Sequence, residues 1–341
     1  MVMVIICKRI MHRLFSLLSR AGLNLFVLFM VAMVALAWLF PEPGSRNGPL
    51  HLVQVGNVGV TFIFFFYGLK LEPAKLLAGL GHWKMHVLIQ ATTFLIFPLL
   101  ILLLRIFFYS SDSDLLWLGT FYLAALPSTV SSSVVMVSIA GGNISAGIFN
   151  ASISSLLGIF VTPLWMNIFV SSSSFSTEDL SGVILNLCLQ VLIPVVVGLA
   201  LHNRLGFLAV RFKNQLRYFD QMIILLIVYR AFCDSFLNRM FEGYSVMELV
   251  VLGSLMLMLF FVMLALMQIL SVGLGFSRED RITVIFCGSK KSLVQGALMG
   301  QVLFPEAAAF GIVLLPLMLY HALQLVAGSI LAQQMAKSSE G

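Results

Sequence analysis

Two adjacent lysines, Lys290 and Lys291, stand inside the apolar run Ile282 to Leu303, within the segment Cys287-Gly288-Ser289-Lys290-Lys291-Ser292. An ammonium at the centre of a membrane helix costs about 2.5 to 3.5 kcal/mol even on a lenient insertion scale, so a charge in that place points to function before stability. Nine residues separate Ile282 from Lys291. At about 1.5 Å of rise each that is about 13 Å, near the middle of a hydrocarbon layer of about 30 Å. No Asp or Glu occurs between Glu72 and Asp112, between Asp114 and Glu178, or between Asp179 and Asp220, which leaves most of the apolar interior without a counter-ion. An aqueous loop over Gly288 to Ser292 is the alternative, but it would leave only Ile282 to Cys287, far too few residues to cross.

A second polar interruption, Leu126-Pro127-Ser128-Thr129-Val130-Ser131-Ser132-Ser133, falls in another apolar stretch. Unwound turns at membrane depth expose carbonyls that suit cations and half-helix N-termini that suit anions. Serine and lysine together also suggest nucleophile and general base, so Ser128, Ser131 or Ser133 facing Lys290 or Lys291 would make an intramembrane hydrolase. No Gly-x-Ser-x-Gly elbow accompanies them, and hydrolysis does not explain two polar turns at corresponding positions. A phosphate-binding Gly-x4-Gly-Lys-Ser/Thr loop is missing too, so ATP-driven transport has no support.

Other polar residues carry two readings each. Asn150 and Ser154, with Ser155 beside them, share a helix face at i and i+4, and ligand lining and interhelical hydrogen bonding both fit. Gln90 with Thr93, and Gln190, face a cavity or bond a neighbouring helix, and His321 with Gln324 reads first as structural. Arg230 and Asp234 form a candidate pair near the outer face, structural or gating. Pro98, Pro163, Pro194 and Pro316 mark kinks. Cys7, Cys188, Cys233 and Cys287 show neither metal nor disulfide spacing and read as small core residues.

The elements that must position these residues follow from composition. The chain is 60% hydrophobic and 10% charged over 341 residues, against about 25% charged in soluble domains. This is an all-α integral membrane protein. Apolar windows predict ten transmembrane helices at 22–40, 51–69, 85–108, 115–140, 144–170, 182–202, 218–237, 246–275, 282–303 and 306–334. With the N-terminus inside, Lys8, Arg9, Arg13, Arg20, Lys70, Lys75, Lys84, Arg204, Arg211, Lys213, Arg217, Arg278, Arg281 and Lys337 all fall on the cytoplasmic side. The net charge of +6 is therefore mostly topology and implies lipid, not nucleic acid, as the partner. Ala35-Leu36-Ala37 imitates a signal-peptidase site, but cleavage would leave nine helices and spoil the symmetry.

That symmetry is the main organisational signal, since the interrupted segments are the fourth and ninth spans, each the fourth of five. Interruptions at matching places in two halves indicate an inverted-repeat transporter with its site at the midplane. The division is a cytoplasmic basic segment 1–20, a first five-helix repeat 21–170, an external loop 171–181, a second repeat 182–334 and a cytoplasmic tail 335–341. The candidate binding residues are Gln90, Ser128, Thr129, Ser131, Ser132, Ser133, Asn150, Ser154, Ser289, Lys290, Lys291 and Ser292.

Val284-Ile285-Phe286-Cys287-Gly288-Ser289-Lys290-Lys291-Ser292-Leu293, Leu315 to His321, Ser154 to Phe160 and Gly81-His82-Trp83-Lys84 resemble the bile acid:sodium symporter family, solute carrier family 10. The likeness runs through nearly the whole chain and is greatest to the bacterial branch related to the family's seventh member. It implies crossing broken helices four and nine, a core of helices three to five and eight to ten, and a panel of helices one, two, six and seven. It also implies symport of a small organic anion, bile-acid-like or sulfated, in a bacterial inner membrane. Carried over by position, Ser132, Ser133, Asn150 and Ser154 would neighbour a first sodium and Ser289 a second. Better-known members carry a Glu in the ninth helix, where this chain has Ile285 and then Ser289-Lys290-Lys291. The coupling ion is thus Na+ or H+, with Lys291 the foremost candidate to occupy a cation position, to hold an anionic substrate or to couple transport to a proton. Transport by a cation- or proton-linked exchanger that regulates ion balance is the runner-up.

Overall fold

The computed structural model describes residues 25–70, 82–108, 114–171, 188–242, 244–304 and 307–337. The basic segment 1–20, Lys75, all of the external loop beyond Ser171, the last four residues of the tail and the side chains of Ser131 and Cys188 lie outside the described residues. All regular structure in them is helical. The order is α1 Leu25–Leu39, α2 Pro41–Gly44, α3 Leu52–Lys70, α4 Trp83–Ala91, α5 Phe97–Phe108, α6 Asp114–Ala125, α7 Ser131–Ile139 and α8 Ile144–Ser171. It continues with α9 Ile193–Ala200, α10 His202–Arg211, α11 Lys213–Leu237, α12 Val246–Gly273, α13 Arg278–Ser289, α14 Leu293–Leu303 and α15 Ala307–Lys337.

Five described helices are long and apolar enough to cross a membrane: Leu52–Lys70, Trp83–Phe107, Ile144–Ile168, Val246–Gly273 and Ala309–Lys337. Their surfaces carry apolar side chains such as Ile106 and Ile269 toward the surroundings, as lipid requires. A multi-pass integral membrane protein follows. The windows 115–140 and 282–303 each resolve into two helices, α6 with α7 and α13 with α14, interrupted as the polar residues require.

Proline placement explains two departures from regular helix. A π turn, Thr92–Ile96, joins α4 to α5 just before Pro98, and another, Cys188–Leu192, precedes Pro194. Proline has no N–H to give its i−4 carbonyl, and a wider turn re-routes the neighbouring bonds. Pro163 and Pro316 lie inside α8 and α15. The basic stretch after the sixth window is not a plain loop. The chain bends by 100° between Leu189–Ala200 and His202–Arg211, and α10 presents Arg204, Phe207 and Val210 on its exposed surface.

Helices α1, α3, α9 and α11 pack on one another, and so do α4, α6, α7, α8, α12, α13 and α15, with α11 touching α14 and α15 across the boundary. Among the described residues, glycines let α3 and α9 approach closely. A Cβ on Gly68 would meet the Val195 carbonyl, and one on Gly198 would meet the Phe65 carbonyl, so both backbones come together where neither side has a side chain.

Candidate functional site

The two interruptions meet. Ser292 N–H donates to the Pro127 carbonyl across 2.9 Å, joining the turn after α6 to the turn before α14. A helix end leaves its last carbonyls without intrahelical partners, and at α6 nearly every one is accounted for. Leu123 accepts from Leu126 N–H at 3.3 Å, Ala125 from the Thr162 hydroxyl at 2.8 Å, and Ala124 and Leu126 from Lys291 Nζ at 2.6 and 2.7 Å. On the other break, the Ser289 hydroxyl returns to the Ile285 carbonyl at 2.7 Å, Tyr320 donates to the Ser289 carbonyl at 2.6 Å, and Ser133 donates to that of Phe286 at 3.3 Å. Ser292 caps α14 by accepting from Gln295 N–H at 3.3 Å.

Both lysines are fully buried, at 0% exposure, so Gly288 to Ser292 is embedded and not an aqueous loop. Lys291 Nζ also donates to the Thr93 carbonyl at 2.8 Å and lies 4.3 Å from the centre of the Phe97 ring. Thr93 has a carbonyl to offer because the N–H of Phe97 is drawn to Thr92 by the π turn. Pro98 leaves the next carbonyl, Phe94, without a helical donor, and Trp165 Nε1 fills it at 2.7 Å. Three carbonyls thus satisfy the three donors of one ammonium, aided by the negative end of α6. Lys290 is placed differently. Its Nζ reaches the Ser132 carbonyl at 3.2 Å, touches Met136 Sδ, and lies 5.8 Å from the Phe286 ring centre. Among the described residues no carboxylate pairs with either lysine.

Gln324 grips the backbone of Lys291 at both ends. Its Oε1 accepts from Lys291 N–H at 2.9 Å and its Nε2 donates to the Lys291 carbonyl at 2.8 Å. This fixes the amide orientation, so the remaining Nε2 hydrogen points at His321 Nδ1, 2.9 Å away. His321 Nδ1 must accept, which places the ring proton on Nε2.

The other candidates divide by partner. Ser154 Oγ accepts from Ser128 N–H at 2.9 Å. Asn150 Nδ2 donates to Ala146 and His86 at 2.9 and 2.8 Å, and Gln90 Nε2 donates to the Asn150 carbonyl at 3.1 Å. Asn150 thus bonds across to α4 and Ser154 to the turn after α6, both beside the junction. Thr129 and Ser132 hydroxyls bond each other, and Thr129 also accepts from Ser133 N–H at 3.3 Å. Ser128 Oγ, Gln90 Oε1 and Gln295 Oε1 are buried without a hydrogen-bond partner among the described residues.

Sequence reasoning missed Thr162, Trp165, Phe97 and Tyr320, whose roles depend on which carbonyls a break frees. Pro98, noted as a kink, was the available signal. It also missed Gln301 and Asn57. Arg230 and Asp234 stand 3.8 Å apart as expected, but Arg230 further donates to Gln301 at 2.7 Å and Gln301 to Asn57 at 3.1 Å. Arg46 N–H holds Asp234 at 2.8 Å.

Sodium fits these residues poorly. At the expected first site the Ser132 and Ser133 hydroxyls bond Thr129, Ser154 holds Ser128 N–H, Asn150 holds Ala146, and no carboxylate accompanies them among the described residues, while at the second the Ser289 hydroxyl is spent on Ile285 and its carbonyl on Tyr320. A cation favours hard oxygen ligands with negative charge to offset its desolvation.

Apolar membrane-length helices around two broken helices with buried charge define a multi-pass membrane transporter. The chain belongs to the SBF-like CPA transporter family, whose model matches residues 24–337. It is 39% identical over 312 residues to "Uncharacterized protein PA2026" of Pseudomonas aeruginosa, covering 92% of each chain. It is 33% identical to "Putative symporter YfeH" of Escherichia coli, covering 93% of this chain and 94% of that one. It is 31% identical to sodium/bile acid cotransporter 7 of Danio rerio, covering 93% and 94%. The resemblance to the bile acid:sodium symporters holds, and these names bear out a transporter in place of the hydrolase.

Proposed function

We propose that this protein is a secondary active transporter of a small organic anion, bile-acid-like or sulfated, working by alternating access at the junction of the two broken helices. The observation that carries the reading is that junction: two helices opened in mid-apolar segment, joined from Ser292 to Pro127, with two buried lysines and no carboxylate paired to them among the described residues. Uncompensated positive charge at that depth favours an anion. The residues that meet substrate in this reading are Gln90, Ser128, Thr129, Ser131, Ser132, Ser133, Asn150, Ser154, Ser289, Lys290 and Ser292, with Lys291 supplying charge behind them. Ten spans in two inverted repeats, 21–170 and 182–334, would place both termini in the cytoplasm of a cell whose inner membrane holds the protein. The two packing groups of helices support a core that moves against a panel.

Reconstituted vesicles test this with a conjugated bile acid, a steroid sulfate and a short dicarboxylate, each under an imposed sodium or proton gradient. The reading predicts gradient-driven accumulation of at least one anion and its loss in Lys290→Met. The poor partners of Lys290 favour a proton over sodium as the coupling ion. Cation or proton exchange that proceeds with no organic anion present would establish the exchanger reading instead.

A further inference from the structure

We propose that Lys291 is a resident cation: its ammonium permanently fills a carbonyl site framed by Thr93, Ala124 and Leu126 that would otherwise bind a monovalent alkali or alkylammonium ion. The proposal deepens the transport reading by excluding an exchangeable ion, and a substrate contact, at this one position. Three independent features open the site. The π turn frees the Thr93 carbonyl, the end of α6 frees that of Ala124, and the turn that begins at Pro127 carries Leu126 past the helix end, where no backbone N–H of the described residues reaches its carbonyl. All three accept from one Nζ at 2.8, 2.6 and 2.7 Å, with the Phe97 ring face 4.3 Å away.

The stem is aimed as well as the head. Gln324 holds both backbone groups of Lys291, and Tyr320 holds the carbonyl two residues earlier. An anionic substrate could take a hydrogen from Nζ only by leaving one carbonyl unpaired in a dry interior, which costs as much as a lost hydrogen bond or more. Lys290, with one carbonyl at 3.2 Å and a thioether, has no such commitment. The pair therefore divides its work: Lys291 keeps positive charge between the broken helices, and Lys290 is left to respond to ligand or proton.

The test reads stability, not transport, so it can fail while the transport reading stands, and the reverse. Purified full-length protein is heated in detergent with sodium chloride, n-propylammonium chloride, neutral n-propanol or choline chloride at constant ionic strength. Wild type should show no cation-selective change in Tm. Lys291→Ala removes a propylammonium from the site, so its Tm should be lower and should rise, saturably, with n-propylammonium and not with n-propanol. The proposal is overturned if propylammonium raises Lys290→Ala as much as Lys291→Ala, or if sodium selectively stabilises wild type and Lys291→Ala abolishes that effect. Should Lys291→Ala not be recovered folded, Lys291→Met decides. It fills the volume without the charge, and a Tm below that of Lys290→Met upholds the resident cation, whereas an equal or higher Tm overturns it.

Discussion

Lys291, Gln324, Tyr320 and Thr162 share one task, pairing backbone groups that a broken helix leaves exposed. A buried group left unpaired costs about 1–3 kcal/mol. Gln324→Leu, which orphans the N–H and the carbonyl of Lys291 together, should therefore lower unfolding stability by about 2–6 kcal/mol. Tyr320→Phe, orphaning one carbonyl, should lose about 1–3 kcal/mol, and equilibrium unfolding in mixed micelles measures both. At this scale the sequence showed the charge and hid its solvation. A lysine in an apolar run is visible in one dimension. The carbonyls that receive it belong to residues 93, 124 and 126, some 165 to 198 positions away along the chain, and a backbone oxygen has no residue type to betray it. Gln324 was read as structural, and its grip on the Lys291 backbone agrees with that reading.

Among the elements, the breaks in the fourth and ninth windows were legible because Pro127 and the Gly288-Ser289 pair interrupt apolar runs with residues that weaken helices. The π turns were not, since they are set by how a helix relieves a proline against its neighbours. The 100° bend that lays α10 against α3 was equally hidden: a basic, polar stretch of that length reads as a connection until its buried side finds a surface. Helix contact is governed by size where backbones touch. Gly68→Ala and Gly198→Ala each drive a methyl into a facing carbonyl, and each should cost about 1–3 kcal/mol. Because the two residues serve one contact, the double variant should cost less than the sum of the singles. A double-mutant cycle in unfolding free energy reads the difference, and strict additivity would contradict a shared approach.

For the whole molecule, the relay from Asp234 through Arg230 and Gln301 to Asn57 matters because it spans α11, α14 and α3 and so crosses between the two packing groups. Removing one partner of a buried ion pair costs about 3–5 kcal/mol, whereas replacing both with apolar residues of similar size often costs little. Asp234→Leu should thus be markedly less stable than Arg230→Met combined with Asp234→Leu, as thermal unfolding would show. The relay's charged half was visible at i and i+4. Its amide half was not, because residues 57 and 301 lie far apart in the chain.

The most direct test of the transport site asks whether the helix junction meets water on each side of the membrane in turn. A single cysteine at Ser128, in a chain whose four native cysteines are replaced by alanine, is labelled with a membrane-impermeant maleimide in right-side-out and in inside-out vesicles. Controls at the exposed Arg239 and at Lys213 each report one side. Alternating access predicts that Ser128→Cys is labelled from both sides, while each control is labelled from one. Labelling of Ser128→Cys from a single side, or from neither, with both controls behaving, would contradict it.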